Sequence, residues 1–166
     1  MEAHMPKGYS RLQIALHWIV FALIVLQYVL HDAIAEAWEA FEHGREIAFN
    51  PLVFQHVSTG ILIAVLAFVR ISVKMKRGAP ALPEEEPALM KLAAKVTHLA
   101  LYAFMILMPM SGAVAWFGGV ENAAEAHEIM KPFLLALIAL HVLGALYHQF
   151  VLKTNLMDRM RTADKG

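Results

Sequence analysis

The sequence contains no cysteine. That excludes a disulfide framework, a thiolate-held iron–sulfur cluster and a cysteine-rich zinc site, so any bound metal must use histidine or oxygen ligands. Charge is scarce as well: 17% of the 166 residues are charged and 59% are hydrophobic, whereas a soluble domain carries about 25% charged residues. Acids and bases cancel to a formal net charge of zero, which leaves no basic stripe for a nucleic acid, and nucleic acid is excluded as a partner. There is no fixed-period repeat and no low-complexity tract. The composition suits a bilayer as solvent, with membrane lipid as the surrounding partner.

Four apolar runs dominate what is there: Leu12 to Leu30, Leu52 to Val73, Val96 to Phe117 and Phe133 to Leu152. Each is near the ~20 residues that cross the hydrocarbon core as a helix. Barrel strands alternate in polarity over about 10 residues, and these runs do not, so helices remain. The fold class read from the chain is an all-α membrane protein, a four-transmembrane-helix bundle forming one domain over residues 1–166. The first run is too long for a signal-peptide core and no small-residue cleavage pattern follows it, so it reads as a retained helix. Asn50 and Pro51 look like the cap and first residue of the second helix. In GAPALPEEEP, Pro80, Pro83 and Pro87 cannot continue a helix, and Glu84 to Glu86 read as a solvated charge run. Residues 78–90 are therefore expected to be a linker without chemistry.

Lysine and arginine set the expected orientation. Lys7 and Arg11 precede the first helix, Arg70, Lys74, Lys76, Arg77, Lys91 and Lys95 fill the second connection, and Lys153, Arg159, Arg161 and Lys165 follow the last helix. Both termini and the 78–90 linker are expected on the cytoplasmic side. The other two connections carry eight acids, Asp32, Glu36, Glu39, Glu42, Glu46, Glu121, Glu125 and Glu128, against Arg45 and Lys131. These face outward.

Six of the nine histidines bear on chemistry. His17, His56, His98, His141 and His148 lie within or at the rim of apolar runs, and His127 stands just before the fourth. A lone helical histidine is ordinarily a hydrogen-bonded structural residue, but ionisable groups at membrane depth are costly and usually face a functional interior. His127 and His141 are 14 residues apart, which returns to nearly one helix face roughly 21 Å along the axis. One helix can then serve two stacked sites, with His17 and His56 across from it. Zinc needs several ligands converging on a point, which histidines spread along a helix cannot give. Methionine ligation of copper is not required, since Met105, Met108 and Met110 fit packing and lipid contact equally well. A haem iron between two imidazoles from facing helices fits best. A histidine proton relay or solute transporter without haem is the rival, although the apolar runs hold no carboxylate to join it.

The segments YSRLQIALHW, QHVSTG, VTHLALY and LIALHVLGALYHQF resemble the bacterial cytochrome b561 family of di-haem membrane cytochromes, and the likeness spans nearly the whole chain. The resemblance implies a bundle enclosing two b-type haems, one held by His17 with His141 nearer the cytoplasm and one by His56 with His127 nearer the outside. It also implies a place in a bacterial inner (plasma) membrane, oxidation of an external donor, with superoxide as one candidate, and ubiquinone as acceptor. A cationic donor protein fits the acidic outer loops better on charge. Related four-helix cytochromes anchor hydrogenases or dehydrogenases, which makes a haem-bearing anchor subunit the alternative function.

Depth alone offers a different pairing, His17 with His148 and His56 with His141. His98 and His148 otherwise read as contacts to a propionate, a quinone or the lipid interface, while His4, His31 and His43 fall in loops or tails. Arg11 is either a propionate partner or a topology charge. Trp18, Trp38 and Trp116 read as interfacial residues, and Gly60, Gly112 and Gly144 as points of close approach. Pro132 is expected to kink any helix already begun at His127.

Overall fold

The protein is described by a computed structural model over residues 6, 8–81 and 86–164. His4, Lys7, Pro83, Glu84, Glu85 and Lys165, all named in the sequence reading, lie outside the described residues. Five α-helices follow one another: α1 (Arg11–Val29), α2 (Asp32–Glu42), α3 (Pro51–Arg77), α4 (Ala88–Gly118) and α5 (Glu121–Phe150). No strand occurs among the described residues. Four of the helices, α1, α3, α4 and α5, are long and apolar enough to cross a membrane.

Local chemistry explains the boundaries. Ser10 opens α1 with a capping box, its hydroxyl accepting from the Gln13 N–H (3.2 Å) while the Gln13 side chain accepts from the Ser10 N–H (2.9 Å). Asn50 caps α3 through its side-chain oxygen (2.9 Å to Leu52 N), and Pro51 occupies the first helical turn, where it forfeits no hydrogen bond. Lys74, Lys76 and Arg77 sit in the last turn of α3 and complement the helix dipole. Gly78 (φ +83) and Gly119 (φ +63) end α3 and α4 in the left-handed region.

Two expectations need correcting. The acidic segment after α1 is a helix, not a loop: its 11 residues are too few to span, yet Ile34, Ala37 and Phe41 give it one apolar side. The last membrane helix starts at Glu121, so His127 lies inside it and Pro132 is enclosed without ending it. Good helix formers in ENAAEAHEIMK extend α5 ahead of its apolar run.

Val20, Ile63, Ala67 and Met105 form the buried core, joined by Leu23, Ile24, Leu66, Tyr102 and Ile106. This core ties α1, α3 and α4 together. From α5 only Leu134 and His148 are buried, so the remaining apolar side chains of that helix face outward or toward the histidine layers. Large apolar side chains such as Leu99 (69% exposed) and Phe150 (70% exposed) cover the outside, as lipid requires and water does not.

Described residues from before α1, after α3 and after α5 meet at one end of the bundle. Asp164 N donates to Tyr9 O (2.9 Å), Trp18 Nε1 to Met160 O (3.0 Å), Gln13 Nε2 to Gly78 O (3.0 Å) and Arg159 Nη1 to Ala81 O (2.8 Å). This is the terminal end. The far end is closed by α2, whose Phe41 ring lies 3.2 Å from where a Gly119 Cβ would be. The expected solvated run in the linker is wrong at Glu86, which is 8% exposed and pairs with α5.

Candidate functional site

Two layers of histidines occupy the bundle. Near the terminal end, His17 of α1 faces His141 of α5 with ring centroids 6.1 Å apart. Near the far end, His56 of α3 faces His127 of α5 at 6.5 Å. These four histidines thus lie in two opposed pairs, each joining α5 to another helix. Each layer also holds a third imidazole: His98 of α4 lies 5.1 Å from His141, and His31 lies 6.2 Å from His56.

Hydrogen bonds distinguish these rings. His127 Nδ1 meets the Met108 carbonyl at 2.9 Å and the Ser111 hydroxyl at 3.3 Å, so its proton sits on Nδ1 and Nε2 is left as a donor to a metal. Gly112 admits that ring, because a Cβ there would lie 3.1 Å from its Cε1 and Nδ1. His98 Nδ1 likewise donates to the Ala94 carbonyl one turn back (2.7 Å). His56 Nδ1 is buried without a hydrogen-bond partner. Across from it, Gln27 binds the His56 carbonyl (2.9 Å) and Thr59, and Gly60 gives Gln27 the room to do so.

A cavity of about 330 Å³ opens beside the far layer, lined by His56, His127, His31, Lys131, Trp38 and Trp116 among others. Sequence reasoning set His31 aside as a loop residue. It stands on the cavity wall, 2.7 Å from Lys131 Nζ and 3.6 Å from the Glu128 carboxylate, which itself pairs with Lys131 at 2.5 Å. Tyr28 OH also donates to the Lys131 carbonyl (2.7 Å), tying α1 to α5.

Three further residues named from the sequence have defined surroundings. His148, which depth alone would make a ligand, is buried with Nδ1 against the Thr154 hydroxyl (3.1 Å) and Nε2 at 3.0 Å from Glu86 Oε1, a close approach without hydrogen-bond geometry. Arg11 is exposed, and the arginine that reaches a histidine layer is Arg70, whose guanidinium donates to His17 Nδ1 (3.3 Å). Of the three glycines, Gly60 and Gly112 meet side chains of other helices, Gln27 and His127, and Gly144 has open space at its Cβ position. A lone charge inside an apolar run was the signal available for Arg70; the burial of Glu86 had none.

The donor set decides what the layers can hold. Among the described residues no three histidine or acidic side chains converge as a metal-ion site. Imidazoles opposed in pairs across facing helices, one with its Nδ1 proton tied to a carbonyl, suit an iron whose four equatorial positions belong to a macrocycle. Haem fits these residues.

Comparison with known proteins agrees. The profile of the family described as prokaryotic cytochrome b561 matches residues 8–163. The chain is 35% identical over 156 residues to Cytochrome b562 of Cereibacter sphaeroides, covering 92% of this chain and 94% of that one. It is 30% identical over 190 residues to the Probable superoxide oxidase CybB of Yersinia pestis, covering 98% and 100% respectively. With Cytochrome b561 homolog 1 of Escherichia coli K12 it shares 26% identity over 173 residues, 92% of this chain and 96% of the relative. The chain belongs to the prokaryotic cytochrome b561 family, multi-pass membrane proteins of bacteria that transfer electrons on haem b.

Proposed function

We propose that the chain carries electrons across the membrane through two b haems, from a donor at the outer face to ubiquinone. The observation that carries this reading is α5 itself, with His127 and His141 on one helix, each opposed by a histidine of another helix. His17 and His141 would hold the inner haem, His56 and His127 the outer one. When bound, haem b supplies a one-electron iron couple. The protein's part is to orient the imidazoles, keep water out and set their donor strength. His127 is locked by Met108 and Ser111, which fixes its tautomer and raises its basicity. The terminal end, with its lysines and arginines, is the cytoplasmic side, and the acidic end bearing α2 is outside.

The donor meets an acidic surface. Both basic residues of that end are paired, Lys131 with Glu128 and Arg45 with Glu39 (3.5 Å), so they offset rather than reverse its negative field. Charge therefore favours a cationic donor protein, while the name of the Yersinia relative points to superoxide. Ionic strength separates the two: raising salt speeds reduction by an anion that the surface repels and slows reduction by a cationic protein.

The test is to reduce the purified protein and follow its haem bands on adding a short-chain ubiquinone. Reoxidation coupled to quinone reduction by this chain alone is expected. A reduced protein that ignores quinone until a partner subunit is added would establish the anchor-subunit reading instead. Membership in a haem family displaces the third reading, a haem-free histidine transporter.

A further inference from the structure

We infer that Arg70 is the positioning residue and counter-ion for a carboxylate of the inner haem, with Lys74 beside it. The inference deepens the reading above and rests on His17 and His141 holding a haem. Arg70 lies 7 residues before the end of α3, roughly 10 Å inside it. Lys74, Lys76 and Arg77 already serve the helix terminus and the membrane boundary, so neither role calls for a fourth cation deeper in. A guanidinium at that depth is costly, and a long side chain so placed ordinarily reaches outward to water. Arg70 turns inward instead.

Its partners there are neutral. The guanidinium donates to His17 Nδ1 at 3.3 Å, and its Cζ lies 5.5 Å from the centroid of the Tyr102 ring. Lys74 Nζ approaches the same ring at 5.4 Å. Among the described residues Arg70 forms no ion pair, and the four apolar runs hold no carboxylate to offer it one.

The contact with His17 is incompatible with ligation. An imidazole that binds iron through Nε2 carries its proton on Nδ1 and has no lone pair there for a donor. Arg70 must then exchange His17 for another acceptor, and an anionic one offsets its charge. A haem brings its own carboxylates, the propionates, and a guanidinium fork matches the two oxygens of a carboxylate. A cation so placed also stabilises the reduced over the oxidised iron, and so holds the inner potential up.

The experiment is a redox titration of purified full-length protein, with haem content, for wild type, Arg70→Gln, Arg70→Lys and His17→Ala. In Arg70→Gln the potential of one haem falls, and it is the haem absent from His17→Ala; in Arg70→Lys most of the shift is reversed. Unchanged potentials with both haems loaded, or a shift confined to the haem that His17→Ala keeps, would overturn the inference. If Arg70→Gln fails to load the inner haem, Arg70→Lys decides: restored loading supports the counter-ion role, and continued loss refutes it. A His17→Ala protein that retains both haems removes the underlying reading along with the inference, whereas normal loss there with no Arg70 effect removes the inference alone.

Discussion

The His127 ring occupies the space left by the absent side chain of Gly112, with a Cβ at that position falling 3.1 Å from its Cε1 and Nδ1. The contact is made against α4 backbone and a ring locked by two hydrogen bonds, so neither side can yield easily. Gly112→Ala is therefore expected to displace His127 and to remove about half of the bound haem, leaving the layer of His17 and His141 loaded. Haem-to-protein ratio after purification checks this. Full haem content in Gly112→Ala would show that His127 is free to move, contrary to its fixed position.

Glu86 and His148 form a pair whose side chains are 2% and 11% exposed, joining the start of α4 to the end of α5. Removing His148 leaves the buried Glu86 carboxyl without its neighbour, which destabilises the fold. His148→Ala should accordingly lower the thermal unfolding temperature in detergent while both haems stay bound, since His148 sits against Glu86 and Thr154 and opposes no second histidine. Loss of a haem in His148→Ala would reinstate it as a ligand and, with it, the pairing read from depth.

Topology gives a prediction independent of haem. A reporter fused to the C-terminus should report a cytoplasmic location. One inserted at Gly44, in an open turn with nothing within 4 Å of its Cβ position, should report the opposite side. Exchange of the two signals would invert the layers and put His17 and His141 at the outer face.

The membrane spans were legible because lipid exposure leaves long apolar runs that polar loops interrupt. Helix α2 was not, because its 11 residues bury only one face and its acids read as loop. The first turns of α5 were missed for a similar reason, as Glu121, Glu125 and Glu128 hide good helix formers from an apolarity criterion. His17, His56 and His141 stand out by depth, whereas the choice of His127 over His148 rests on family resemblance, because helical phase puts all three α5 histidines on one face. His31, Arg70 and Glu86 could not be placed, since their roles depend on which helices meet. Arg70 lies 53 residues from the histidine it touches and Glu86 lies 62 positions before its partner, His148, separations that no local spacing encodes.

If α5 carries one ligand for each of two haems, substitutions of the two ligands of one iron must remove the same haem. His17→Ala, His141→Ala, His56→Ala and His127→Ala would each be purified under identical conditions, and the reduced-minus-oxidised spectrum and haem-to-protein ratio recorded. Wild type should bind two haems per chain and each variant one, with His17→Ala and His141→Ala giving one spectrum and His56→Ala and His127→Ala giving the other. Variants of the same pair that lose different haems, or a His127→Ala protein that keeps both, would show that α5 does not serve both irons in this way.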